Sequence, residues 1–178
     1  MNMADLTTRM IRAAKLDASL YEEVEADRGA FGQAAVVVLL SSVAAGIGSA
    51  YHGGVGGLLL GIFASLIGWY IWAYLTYLIG TKILPEPQTQ ADMGQLLRTT
   101  GFSSSPGLIR VLGVIPGLDR FIFLAAAIWM LVAMVVAVKQ ALDYNSTWRA
   151  VGVCVIGWIV QGIVMALLFY LLAPGVEP

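Results

Sequence analysis

Gly101-Phe102-Ser103-Ser104-Ser105-Pro106-Gly107-Leu108-Ile109-Arg110, continuing to Pro116-Gly117-Leu118, is the stretch whose reading decides the topology of this chain. It is long enough to cross a bilayer, yet it carries three serines, two prolines and an arginine. On either side lie runs that meet or approach the ~20 apolar residues a spanning helix needs. Gln33–Ala50 and Val55–Ile79 precede it; Phe121–Ala141 and Val151–Leu172 follow. None of the four contains Asp or Glu, and Lys139, near an end, is their only charge. The stretch is either a fifth span or a re-entrant segment between four.

Composition sets the class. Hydrophobic residues make up 59% and charged residues 12% of the 178, with a mean hydropathy of +0.83. Soluble domains average about 25% charged and 45–50% apolar residues. The chain is therefore expected to be an all-α, polytopic helical membrane protein. A formal net charge of −1 offers no basic field for nucleic acid. Cys154 is the only cysteine, so no disulfide can form within the chain. About thirty mostly polar residues precede the first apolar run, unlike a cleavable signal, whose basic start abuts its apolar core. That run is expected to act as an uncleaved anchor.

The organisation follows: an N-terminal amphipathic region over 1–32, a membrane domain over 33–172 and a short tail over 173–178. Ala4–Asp27 reads as one helix lying on the membrane. Leu6, Met10, Ala13, Leu20, Tyr21 and Val24 share a face, although Asp17 interrupts it. Arg9, Arg12 and Lys15 fall largely opposite, placed to meet anionic lipid head groups. After the second run, Leu84-Pro85-Glu86-Pro87 stops the helix. Thr89 with Asp92 then reads as a capping box opening a short helix, Gln90–Thr100, which Gly101 ends.

Charge distribution favours crossing only slightly. With five spans and a cytoplasmic N-terminus, eight basic residues lie inside and Arg120 alone outside; with a re-entrant segment eight again lie inside, Arg120 among them, and Lys139 and Arg149 lie outside. Energetics oppose it. A mid-helix arginine costs about 2.5–3.5 kcal/mol, and each apolar neighbour recovers only about 0.3–0.6 kcal/mol. Such a span depends on shelter from the others, with Pro106 in a first turn and Ser103, Ser104 and Ser105 available to cap it.

Gly101-Phe102-Ser103-x-x-Pro106 followed by an apolar stretch resembles the motif that opens the third span of the Yip (Ypt/Rab-interacting protein) family. The layout from Gln33 to Leu172 is similar as well. The resemblance implies five spans and a cytosolic N-terminus. The N-terminal region is short and lacks the Asp-Leu-x-Gly-Pro type of motif, so the chain is more similar to compact prokaryotic members, and Rab binding is not carried over.

Small residues mark expected helix contacts. Gly53, Gly57, Gly61 and Ser65 repeat every four residues in the second run; Ser42, Gly46 and Ala50 do so in the first. These two spans are expected to pair as a tight hairpin. Trp69, Tyr70, Trp72, Tyr74 and Tyr77 read as an interfacial belt.

Catalytic patterns are missing. His52 is the only histidine, so no paired-histidine metal site is expected. GxSxG, HExxH, P-loop and dinucleotide patterns do not occur. The expectation is a non-enzymatic scaffold, membrane-shaping element or accessory subunit without cofactors. It would sit in a bacterial inner membrane among lipids, as a homo-oligomer or part of a larger complex. The alternative is a small transporter or channel with an anion site at Arg110, donors at Ser103–Ser105 and a helix broken at Pro106.

Overall fold

The computed structural model describes the backbone of residues 3–172 and the side chains of residues 4–49, 59–164 and 166–167. The tail at 173–178, His52 and the surroundings of Gly53 and Gly57 lie outside what is described. The described residues form α1 (Met3–Ala14), α2 (Ala18–Ala26), α3 (Ala30–Gly48), α4 (Ala50–Leu78), α5 (Met93–Phe102), α6 (Asp119–Ala141) and α7 (Thr147–Leu172). A π turn, Ile79–Ile83, closes α4, and a 3-10 helix, Ser105–Val114, follows α5. Among the described residues four helices are long and apolar enough to cross a membrane, falling within α3, α4 with its π turn, α6 and α7.

The N-terminal region is two helices rather than the single expected one. Leu16 takes φ 62° and Asp17 caps α2, its carboxylate accepting from the Ser19 N–H. The acid that interrupts the apolar face is thus the start signal of a second helix. Leu6, Ala13, Leu20, Tyr21 and Val24 are almost wholly buried, in one cluster with Ala30, Ala34, Val37, Phe102 and Ala137. That face is covered by the bundle; Ile11, beside it, is exposed. Arg9 pairs with Asp5, Glu23 and Asp27, and Arg12 with Asp17 and Glu23. The basic half and the acidic half of the region neutralise each other.

The linker helix starts later than expected. Thr89 closes a turn instead: its N–H bonds the Glu86 carbonyl and its hydroxyl accepts from the Glu86 N–H. Asp92 is the cap of α5 and Gln95 its reciprocal partner. Gly101 does not end α5, which runs through Phe102. A Cβ on Gly101 would stand 2.7 Å from the Ala34 Cβ and 3.1 Å from Trp69, so the glycine admits α3 and α4 close to α5.

The stretch that decides the topology is not an α-helix beyond Phe102. It turns at Ser103-Ser104 and continues as a ten-residue 3-10 helix, with Pro106 in its first turn. A 3-10 helix has three residues per turn, so positions three apart eclipse. Gly107, Arg110 and Gly113 therefore form one stripe, and that stripe is packed. A Cβ on Gly107 would lie 2.2 Å from the Ser41 hydroxyl, and one on Gly113 2.8 Å from Phe123 and 3.1 Å from the Gly48 carbonyl. From the other side, a Cβ on Gly48 would lie 1.9 Å from the Arg110 carbonyl. No α-helix would hold all three positions in one line against α3 and α6.

Both ends of this composite element are fixed. Near its start, Gln88 bonds the Asp143 carbonyl, and Glu86 accepts from the Asn145 and Ser146 N–H groups at the α6–α7 turn. At its end, Gly113 meets Phe123 in the first turns of α6. The element thus runs alongside α6 in the opposite direction. At 1.5 Å per residue for α5 and 2.0 Å for the 3-10 helix, the two rise about 35 Å, against the roughly 30 Å of a bilayer core.

Candidate functional site

Among the described residues the bundle holds a cleft of about 420 Å³, mostly apolar in its lining but with a few polar groups set into it. α3 lines it with Ser41 and Ser42, and the 3-10 helix with Arg110. α4 adds Ser65, Trp69 and Trp72; α7 adds Trp158 and Gln161. α6 supplies an apolar wall through Met130 and Met134. No carboxylate lines it among the described residues.

Arg110 is held at three of its five donors. Its Nε donates to the Gly107 carbonyl at 3.0 Å, and Nη2 to the Ser41 carbonyl at 3.1 Å and hydroxyl at 2.7 Å. Ser41 stands near the middle of α3, so the guanidinium sits at mid-bundle depth. A guanidinium carries five N–H donors; the two on Nη1 bond no described residue. Among the described residues no buried side-chain nitrogen or oxygen lacks a partner, so Nη1 is accessible, and Arg110 lines the cleft. Gln161 is similar: its amide bonds no described residue, and its Nε2 lies 3.9 Å from where a Gly68 Cβ would be.

Of the residues singled out beside Arg110, Ser104 lines the cleft. Ser103 and Ser105 are buried and bond backwards, to the Thr100 and Phe102 carbonyls at 2.7 Å each. The reason is local: a serine hydroxyl at a helix C-terminus reaches the carbonyl three residues earlier. These two hydroxyls therefore do not cap the 3-10 helix, and Ser104, its N-cap, makes no side-chain cap bond either. Pro106 is buried. Ser42 is buried with its hydroxyl on the Val38 carbonyl at 2.8 Å, Gly46 is half-buried, and Gly61 has no atom within 4 Å of a would-be Cβ. α3 and α4 do pack on each other, and among the described glycines the tightest backbone approach joins Gly48 of α3 to Arg110 of the 3-10 helix.

The aromatic cluster divides. Tyr70 and Tyr74 face outward. Trp69 stacks on Phe31 at 5.9 Å and donates to the Leu97 carbonyl and the Thr100 hydroxyl. Trp72 is buried and donates to the Met134 sulfur. Sequence reasoning missed Ser41 and Gln161 and read Ser65 only as a helix-packing residue. A legible signal existed for the last, an amide in the middle of the run 151–172.

A second arginine is structural. Arg98 is buried, and its guanidinium bonds the Val24 and Glu25 carbonyls at the end of α2. A cation there satisfies free carbonyls and complements the negative end of the helix dipole.

A bundle of long apolar helices around a sheltered cationic cleft defines an integral, polytopic helical membrane protein. The family model described as Yip1 domain matches residues 18–169, and the chain belongs to that family. No curated protein and no solved structure matches it.

Proposed function

We propose that this chain is a five-span, non-enzymatic scaffold or accessory subunit of a bacterial inner membrane, with its N-terminus cytoplasmic. Five crossings are supported by the composite element, which runs the length of α6 and whose two ends meet opposite ends of that helix. The excess of basic residues on the side of the N-terminus supports the orientation.

The scaffold role rests on one observation: α4 and α7 expose long apolar faces. Among its described residues α4 buries only Trp72, Ala73 and Thr76, while Leu59, Leu60, Phe63 and Ile67 are exposed. In lipid such faces take either acyl chains or another helix, through packing and small residues. Solubilisation of the full chain in a mild detergent, with cysteine crosslinking at Leu60 and Phe63, tests this. A reproducible homo-oligomer or stoichiometric partner is expected. A solitary, uncrosslinked monomer overturns it.

The cleft favours a second reading, a small transporter or channel with an anion site at Arg110. An intramembrane cation without a counter-charge is costly and marks a functional site by default. If Arg110→Ala leaves anion flux through proteoliposomes equal to that of the unaltered protein, this reading fails.

A further inference from the structure

We propose that the Arg110 cleft binds the phosphate of an anionic phospholipid, which enters sideways between α4, α6 and α7. The inference rests on the reading of Arg110 as an anion site and adds the source of the anion, its route and a second ligand residue, Gln161.

The route comes from where the bundle parts. Buried residues on α7 are Ala150, Val153, Cys154 and Gly157; from Trp158 to Leu167 no described residue is buried. On α4 none of the described residues before Trp72 is buried. Among the described residues the two helices are thus buried near the α6–α7 turn and not beyond it, and the cleft lies where that burial ends. Trp158 lines the cleft and is also 56% exposed on the apolar outer face, and Ala127 of α6 does both as well. The mouth therefore faces hydrocarbon.

The ligand chemistry follows from the two ends of this path. Inside are Nη1 of Arg110 and the Gln161 amide, both without a partner among the described residues, with the Ser65 and Ser104 rims beside them. A guanidinium edge with an amide donor suits phosphate oxygens. At the mouth are Trp158, Leu131 and Ala127, an apolar surface suited to an acyl chain. A ligand must be anionic at one end and apolar at the other. A free anion would have to cross that apolar mouth unsolvated, which is strongly unfavourable.

The test uses the purified full chain. Native mass spectrometry measures retention of phosphatidylglycerol against phosphatidylcholine, and a thermal shift measures binding of inorganic phosphate. The unaltered protein is expected to retain phosphatidylglycerol about tenfold better, the scale of one charge-assisted bond. Arg110→Ala should remove that preference, and Gln161→Leu should lower the retention of phosphatidylglycerol. Gln161 bonds nothing described within the chain, so its variant leaves folding intact even if Arg110→Ala, which loses the Ser41 tether, does not. Equal retention of the two lipids by the unaltered protein, or undiminished retention of phosphatidylglycerol by Gln161→Leu, overturns the lipid assignment. If phosphate then still stabilises the protein through Arg110, the anion-site reading survives alone. If neither ligand depends on Arg110, both readings fall.

Discussion

Gly48 and Gly61 have the same side chain, lie in neighbouring apolar helices and meet opposite surroundings. A methyl group on Gly48 would collide with the Arg110 backbone at 1.9 Å; on Gly61 it would meet nothing within 4 Å. Backbone cannot swing aside as a flexible side chain can, so Gly48→Ala must separate α3 from the 3-10 helix. Overpacking costs about 1–3 kcal/mol and occasionally more, and thermal unfolding in detergent should register that loss. Gly61→Ala should stay neutral or gain at most about 1 kcal/mol from helix propensity. Equal melting temperatures for the two variants would refute this packing. Glu25 offers a second test at this scale. Burial, then the charge of Asp143, push its carboxyl up to about 7, although the nearby Arg98 charge opposes this. A carboxyl raised in the folded state binds more protons than in the unfolded chain between pH 4.5 and about 7, so its contribution to stability falls as pH rises through that window. Asp17 has the opposite sign: hydrogen bonds from Ser19 and Arg12 hold its carboxyl at about 2, so its contribution is present above pH 3.8 and lost on acidification. Glu25→Gln should flatten the decline of melting temperature between pH 4.5 and 7. An unchanged slope would show that Glu25 does not cause it.

At the scale of elements, helix starts are set by which polar side chain wins a competition. Thr89 and Asp92 both satisfy the pattern of a cap, three residues apart. Pro85 and Pro87 hold the chain extended, and the Thr89 hydroxyl is taken by the Glu86 N–H. Asp92 is left to accept from Gln95 at 2.8 Å, while Gln95 accepts from the Asp92 N–H at 2.6 Å. Asp92→Ala is therefore expected to cost about 1 kcal/mol, as the loss of a cap does. Thr89→Ala should cost less, because it removes one turn bond at the surface and no helix cap. Chemical denaturation of the two variants ranks them, and the reverse order would restore the earlier start. The 3-10 helix obeys a different constraint. Its stripe of Gly107, Arg110 and Gly113 has a period of three, and only a three-residue turn keeps it aligned.

For the whole molecule the decisive contacts join distant parts of the chain. Glu86 to Asn145 and Gly113 to Phe123 lie at opposite ends of α6. Five crossings require residues 88 and 145 on one side of the membrane and residue 117 on the other. In a background with Cys154 replaced by Ser, single cysteines at Gln88 and Asn145 should label from the same face with an impermeant reagent. A cysteine at Gly117 should label only from the opposite face. Labelling of Gly117 from the face that labels Gln88 would establish a re-entrant segment instead.

The class of protein was legible without coordinates. Four uninterrupted apolar runs with almost no charge can only lower their free energy in lipid, and helix is the form that satisfies their backbone internally. The motif at Gly101–Pro106 pointed to the family, which the match over residues 18–169 bears out. The fate of the polar residues was not legible, because it depends on partners far along the chain. Asp17, which spoils an amphipathic face in sequence, caps a second helix whose acids pair with Arg9 and Arg12. Gly101, which looks like a terminator, is a packing site. Arg110, which only raises the cost of a span when read alone, becomes affordable once Ser41 and Gly107 receive it. Periodicity is a local property and was written in the sequence. Which hydroxyl or carbonyl meets a buried charge is a property of the packed bundle, and only the tertiary structure decided it.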